Sequence, residues 1–200
     1  GILPRSDYFK IFLGPVMKQI EDIVYNSPYF IKHIPERKRP KFIMKNVYQP
    51  GAKNFVSDHT SFEAAFNTRI MTNIERRLYT HMLGNLPEAR DINKLIDVIC
   101  GVNHVEGKAC HFQTEGRMSG EMCTSLGNGF TNLMVMLFAL EEHDCKSIKG
   151  VVEGDDGLFT FFGEPPTVEF FSSIGFNLKL ETYESFSQAS FCGMIFDEND

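Results

Sequence analysis

Apolar residues recur at helical spacing in several parts of the chain. Between Tyr8 and Tyr25 they follow the three- and four-residue steps of an amphipathic helix. A second series recurs every four residues: Phe62, Phe66, Ile70, Ile74, Leu78 and Met82. This series predicts a helix that begins directly after a short strand at 54–57. The stretch from Thr124 to Glu142 also predicts a helix, and we expect it to be buried because it is apolar on all sides.

Short apolar stretches between glycine and polar residues predict strands in the second half of the chain. Ile148 to Glu153 and Leu158 to Phe162 flank the sequence GDDG and predict a β-hairpin. The other predicted elements of this half are a short helix and two strands: Val168–Ser173, Phe176–Leu180 and Ser190–Phe196. Elements in this order predict an α+β fold in which an antiparallel sheet packs on helices.

Composition limits the class of protein. A chain of 200 residues with 42% hydrophobic and 23% charged residues is typical of a globular domain, so residues 1–200 are predicted to form a single domain. The longest apolar run, Leu133 to Leu140, is far shorter than the roughly 18 residues of a membrane span. Five cysteines without a CxxC pair favour neither a disulfide framework nor a zinc site.

The charge balance counts against a nucleic-acid partner unless the acidic residues have a role of their own. The net charge is −6, whereas contacts to phosphate need Lys and Arg. Acidic residues that hold metal ions would give an active site such a charge. The basic stretch from Pro35 to Lys41 predicts a loop, and both RNA binding and simple solvation stay open for it.

Two adjacent carboxylates, Asp155 and Asp156, follow Gly154 between the predicted hairpin strands. Like charges side by side repel each other, and a divalent cation such as Mg²⁺ removes that cost. The flanking Gly154 and Gly157 allow unusual backbone angles and a close approach of other groups. The alternative is that Asp156 and Gly157 simply form the two-residue turn of the hairpin.

A third carboxylate, Asp58, ends the predicted strand at 54–57 and precedes a helix. At that position it can meet the carboxylates of a neighbouring hairpin and form a two-metal centre, with ions about 3.5–4 Å apart. The alternatives are structural. Asp58 can complement a helix dipole, and the sequence from Thr60 to Glu63 has the form of a capping box.

A small polar loop leads into the predicted buried helix in the stretch GRMSGEMCTSLGN. Ser119 and Gly120 form the loop, and Thr124 and Asn128 follow four residues apart, on one helical face. Such a loop can follow a template backbone, and Asn128 can bond to a ribose hydroxyl, the group that distinguishes RNA from DNA. The alternative is a polar helix start with close packing at the neighbouring glycines.

In order and spacing, these segments resemble motifs A, B and C of the RNA-dependent RNA polymerases of positive-strand RNA viruses. Asp58 to Glu63 resembles motif A, Ser119 to Asn128 matches the S-G-x3-T-x3-N pattern of motif B, and Val151 to Gly157 resembles motif C. Further segments resemble the end of motif F and motifs D and E: Ile2–Arg5, Gly175–Lys179 and Ser190–Gly193. The residues of these motifs are most similar to those of tombusvirus-like enzymes.

The resemblance implies the palm of a right-hand polymerase with partial finger segments, which copies RNA from NTPs with two Mg²⁺ or Mn²⁺ ions. It implies that Asp58, Asp155 and Asp156 hold the metals and that Lys179 is a candidate general acid. It implies substrate contacts for six residues: Arg5 at the triphosphate, Asn128 and Glu63 at the ribose, and Ser119, Gly120 and Thr124. Glu63 departs from the usual Asp and is one methylene longer.

The resemblance also implies partners and a location. The partners are the RNA template, the nascent RNA, NTPs, and the fingers and thumb of the same polyprotein, since only the end of motif F lies in residues 1–6. The location is the host cytoplasm, in membrane-associated replication complexes. This segment by itself is expected to be inactive.

Two other classes of function stay open beside the polymerase. One is a non-catalytic RNA-binding or assembly module of the same fold, and the other is a reverse transcriptase. The presence of Asp58, Asp155, Asn128 and Lys179 together favours an enzyme, because a module that only binds RNA would not need all four. The motif B pattern that ends at Asn128 argues against a reverse transcriptase.

Overall fold

The computed structural model describes residues 5–59, 61–106, 111–118 and 120–196. Three predictions fall on residues outside the described ranges: Ser119 in the motif B loop, Ile2 to Pro4 at the end of motif F, and Thr60 in the capping box. Two compact units make up the chain. The first comprises Gly1–Ile23 and Glu63–Gly127, and the second comprises Val24–Phe62 and Asn128–Asp200.

The described residues form a mixed α+β fold with antiparallel sheets, as predicted. In chain order the helices are α1 (Asp7–Val24), α2 (Arg39–Asn46), α3 (Phe62–Ala65), α4 (Thr68–Asn73), α5 (Glu75–Leu83), α6 (Ala89–Cys100), α7 (Thr124–Glu142) and α8 (Val168–Ser173). The strands are β1 (Lys53–His59), β2 (Val102–Glu106), β3 (His111–Glu115), β4 (Lys146–Glu153), β5 (Asp156–Phe162), β6 (Leu178–Tyr183), β7 (Ser190–Phe191) and β8 (Met194–Ile195). None of the helices in the described residues is long and apolar enough to cross a membrane.

The first unit contains a buried ion pair. Arg117 and Glu75 are bonded to each other, and both side chains are 0% exposed. The Tyr79 hydroxyl donates to Glu75 over 3.0 Å, and the Arg117 guanidinium lies 5.1 Å from the centre of the Phe66 ring. A methyl group added at Gly127 would overlap both members of the pair, so a larger residue at this position in α7 would displace them. The close packing that was the structural alternative for this region is therefore present.

The main sheet lies in the second unit. Its strand order is β4-β5-β1-β6, and every pairing is antiparallel. On one face, the apolar side chains of α2 and of the chain near β7 and β8 form a buried cluster with those of the sheet: Ile43, Val47, Val151, Leu158, Phe186 and Phe191. On the other face, His59 of β1 bonds to Asn132 of α7. The prediction that α7 is buried is confirmed, since Asn132, Met136 and Leu140 are 0% exposed.

Three predicted elements differ from the structure. The single helix predicted to follow from Phe62 is divided into α3, α4 and α5, because the Asn67 side chain accepts from the amide of Ile70 and starts a new helix. The basic stretch predicted as a loop forms a short 3₁₀ helix, Glu36–Lys38, and the start of α2, where Pro40 occupies a first-turn position. The last predicted strand is two short strands, β7 and β8, joined at Cys192 and Gly193.

Candidate active site

One face of the main sheet carries the charged residues that the sequence selected. Val56 lies opposite Leu158, and Leu158 lies opposite Val151, so these three side chains point to one face. Two residues away from these, toward one end of the sheet, the same face presents Asp58 of β1, Asp156 of β5 and Glu153 of β4. Lys179 lies directly opposite Asp58 and shares the face. The register of four strands thus brings together residues that are far apart in sequence.

A cavity of about 280 Å³ opens on this face. Its lining includes Asp58, Asp156 and Lys179 from the sheet and Cys192 from the β7–β8 hairpin. Burial raises the pKa of Asp156, and the carboxylates of Asp155, Asp58 and Glu153 raise it further, against the opposing effect of the Cys192 thiol. That thiol donates to Asp156 Oδ2 over 3.4 Å. The cavity therefore holds negative charge that a bound cation would offset.

The turn that carries Asp155 is a tight two-residue hairpin loop. Glu153 lies opposite Asp156, so the loop residues are Gly154 and Asp155. Gly154 has φ 62° and Asp155 does not have positive φ, which is the pattern of a type II′ turn with glycine first. The alternative that Asp156 and Gly157 form the turn is wrong, because both lie in β5. Gly157 is needed for packing instead, since an added Cβ would lie 2.6 Å from Ser57 Oγ.

A buried amide of α7 holds this turn from behind. Asn132 Nδ2 donates to the carbonyl oxygens of Gly154 and Asp155 over 3.2 and 2.9 Å. The Asn132 Oδ1 atom lies 3.2 Å from Nε2 of His59. Burial lowers the pKa of His59, so its ring is neutral, and Nε2 must carry the proton to donate to Oδ1. His59 thereby orients the amide that fixes the backbone beside the carboxylates.

Replacing Asn132 by Ala is expected to loosen the turn. The change leaves two carbonyl oxygens without their donor, and an unsatisfied buried group costs about 1–3 kcal/mol. We expect lower free energy of unfolding and faster hydrogen exchange of the amides at 153–157. Thr131→Ala is the matched control, because Thr131 is 0% exposed on the same helix and its hydroxyl has no hydrogen-bond partner among the described residues. Equal exchange rates in the two variants would contradict the role of Asn132.

Other predicted substrate-binding residues lie in the first unit. The Arg5 guanidinium bonds to Glu121 and to Asn103 Oδ1 and lines a separate cavity of about 440 Å³. Burial raises the pKa of Glu121, an effect that Arg5 opposes. Arg5 therefore already has partners within its own unit, and its predicted contact with a triphosphate would require it to exchange them.

The motif B residues belong to a turn and to the helix that follows. Gly120 has φ 88°, a conformation that favours glycine. The Thr124 hydroxyl donates to the carbonyl of Met118 over 3.5 Å, and Asn128 follows one helical turn later with 8% of its surface exposed. Glu63 lies in α3, half-buried. The predicted pairing of Glu63 with Asn128 stays a prediction.

The carboxylates do not form a ready-made metal site. Within the described residues, no three His, Cys, Asp or Glu side chains are close enough together to hold an ion. The donor chemistry nevertheless fits a hard cation, because Asp58 and Asp156 face one cavity and Asp155 adds to their electrostatic repulsion.

Comparison with known proteins adds no family assignment. No protein-family model matches the chain, and no curated protein is significantly similar to it. Any function for the chain therefore has to be argued from its own residues and their geometry.

Proposed function

We propose that this chain is the palm region of an RNA-dependent RNA polymerase that copies viral RNA from NTPs. The observation that supports the proposal most is the common face and cavity of Asp58, Asp156 and Lys179, directly beside the turn that carries Asp155. The sequence selected these residues by their order and spacing along the chain, without knowledge of the sheet register. Their convergence at one end of the sheet is what nucleotidyl transfer needs.

The carboxylates of Asp58, Asp155 and Asp156 would hold the two Mg²⁺ or Mn²⁺ ions. When bound, the ions would lower the pKa of the attacking 3′-hydroxyl and offset the charge of the departing pyrophosphate. The raised pKa of Asp156 supports this assignment, because burial and the neighbouring carboxylates both disfavour its charged form, which a bound cation would stabilise.

The chain's own residues would position and protonate the substrate. Lys179 is exposed at the cavity opposite Asp58, where its ammonium group can give a proton to pyrophosphate. Asn132 keeps the turn in one conformation, so the Asp155 side chain starts from a fixed backbone. Such preorganisation lowers the barrier without further binding energy.

Paramagnetic Mn²⁺ tests the metal assignment in the 200-residue chain itself. Titration should broaden the amide NMR signals at 57–59, 154–157 and 178–180 before others, and Asp58→Asn should weaken the effect. Asp144→Asn is the matched control, since Asp144 is an exposed carboxylate of the same unit that does not line this cavity. Broadening that is spread evenly over the chain, or that survives Asp58→Asn unchanged, counts against the proposal.

Asn128 is expected to select ribonucleotides. In a chain that also supplies the fingers and thumb, Asn128→Ala should remove a hydrogen bond that only a ribonucleotide makes. A hydrogen bond between two neutral groups contributes roughly 0.5–1.5 kcal/mol, so discrimination against dNTPs should fall about 2- to 13-fold. The measurement is the ratio of rNTP to dNTP incorporation, with Thr131→Ala as control on the same helix. An unchanged ratio would assign Asn128 to helix packing.

A further inference from the structure

A row of exposed cations lies on the segment that was expected to be a loop. It consists of Arg37, Lys38, Lys41 and Lys45, and is called the basic strip below. Lys38, Lys41 and Lys45 recur at three- and four-residue spacing along the start and length of α2, so they share one side of that helix. The other side of α2 carries the fully buried Ile43. Helix formation thus turns a short charge run into an ordered surface.

The basic strip forms no ion pair with the part of the chain that the structure describes. Residues 36–45 contain five Lys and Arg and one acidic residue, in a chain whose 26 acidic residues outnumber its 20 Lys and Arg. A concentration of positive charge against that background requires an anionic partner or continuous solvation.

One basic residue of the segment anchors it beside the catalytic turn. Arg39 Nη1 lies 2.7 Å from Glu153 Oε2, and its Nη2 lies 3.4 Å from Oε1. Glu153 closes the turn opposite Asp156, so this bidentate pair fixes the start of α2 next to the carboxylates. Ile43 and Val47 pack with Val151 and Leu158, which lie on the same face of the sheet as Asp58.

We propose that the basic strip binds the phosphate backbone of RNA as it reaches the carboxylate face. This inference rests on the proposed function and names a surface through which the palm holds its RNA. From Lys38 to Lys45 the helix rises roughly 10 Å, and consecutive phosphates of a nucleic-acid strand advance about 3.4 Å, so the strip spans about three phosphate spacings, or four phosphates. Lys side chains contact phosphates without reading the bases, as a polymerase that copies any sequence requires.

The surroundings of the strip favour RNA over a lipid surface. Helices that bind bilayers carry large apolar residues beside their cations. Among the described residues from 24 to 85, no large hydrophobic side chain is exposed. The acidic face beside the strip would also be repelled by an anionic membrane, whereas metal ions at that face would offset the repulsion of an RNA end.

The test compares two charge-reversed forms of the 200-residue chain. The strip variant is R37E/K38E/K41E/K45E, and the control R69E/R77E/R90E/K149E reverses four exposed cations elsewhere, so the net charge changes equally. Fluorescence anisotropy with a labelled single-stranded RNA is measured at several salt concentrations without metal or NTP. For four contacts, the logarithm of the association constant should fall with that of salt with a slope of about −3. The strip variant should bind at least about tenfold more weakly, with a slope near zero, while the control keeps the original slope.

Several results would overturn the inference. Equal losses in both variants would indicate only a general effect of charge. If the unmodified chain bound phosphatidylserine vesicles but not RNA, the strip would be a membrane-binding surface instead. If circular dichroism shows that the strip variant is unfolded, the milder K41Q/K45Q pair replaces it, and unchanged RNA affinity of that folded pair would contradict the proposal. Because no nucleotide is incorporated in this assay, the two proposals fail separately: RNA binding through the strip, together with no synthesis by a chain that also has its fingers and thumb, would refute the proposed function alone.

Discussion

Replacing Asp155 by Asn is expected to abolish nucleotide incorporation while leaving the fold intact. The turn is held through its backbone carbonyl groups by Asn132, and the Asp155 side chain is exposed, so an amide of the same shape leaves those hydrogen bonds in place. If the proposed function is right, the loss of one carboxylate would weaken the binding of both metal ions. We expect the rate in a chain with fingers and thumb to fall by about three orders of magnitude or more.

The assay needs a stability measurement beside the kinetic one. Incorporation of labelled nucleotide is compared with the urea midpoint of the same preparations, and Asp144→Asn serves as a carboxylate-to-amide control away from the cavity. The expected result is a large kinetic loss at an unchanged midpoint for Asp155→Asn and no kinetic loss for the control. Activity retained by Asp155→Asn would exclude this residue as a metal ligand.

Replacing Glu75 by Gln is expected to have the largest effect on stability. The change removes the carboxylate that pairs with the fully buried Arg117 guanidinium, and the amide that replaces it carries no charge. Burial alone lowers the pKa of Arg117, but the Glu75 carboxylate raises it, so the guanidinium stays charged in the folded protein. Removal of one partner of a buried pair costs about 3–5 kcal/mol in the free energy of unfolding.

A double replacement separates the ion pair from simple packing. Substitution of Glu75 by Leu together with Arg117 by Met removes both charges and keeps most of the volume, and such exchanges are often neutral or stabilising. Urea unfolding should therefore show a large loss for Glu75→Gln and a much smaller one for the double variant. A single variant that loses less than about 1 kcal/mol would show that water or another group solvates Arg117.

The elements that were predicted correctly are those in which the spacing of apolar residues reflects burial. The bounds of α7 and α8 agree with the predictions, because α7 lies in the core and α8 begins at a Thr167 cap. The β2–β3 hairpin was not predicted, because most of its residues are exposed and carry no clear alternation of apolar and polar residues. The helix α2 was missed because a basic, proline-containing stretch has the composition of a loop, and tertiary packing of Ile43 and Val47 decides its structure.

The residues of the candidate site were likewise predicted only in part. Asp58 and Asp156 were selected from local spacing and Lys179 from the resemblance to motif D, and the register of the sheet places all three on one face. His59 and Asn132 were missed as functional residues, because they are 73 positions apart and only the fold brings them into contact. A signal for Asn132 was present in its position four residues after Asn128, on the same side of α7.

The most direct test of the proposed polymerase activity is RNA-templated synthesis by a chain that contains this segment with its fingers and thumb. The reaction contains an RNA of defined sequence, the four rNTPs and Mg²⁺ or Mn²⁺, and the product is sequenced. If the chain is a polymerase palm, the product is expected to be complementary to the RNA, to depend on the metal and to be absent with Asp155→Asn. Almost no product is expected from the 200-residue chain alone, since positioning of the reactants contributes roughly 7–11 kcal/mol to such reactions. Absence of product from the complete chain, or a product that does not depend on the template, would contradict the proposed activity.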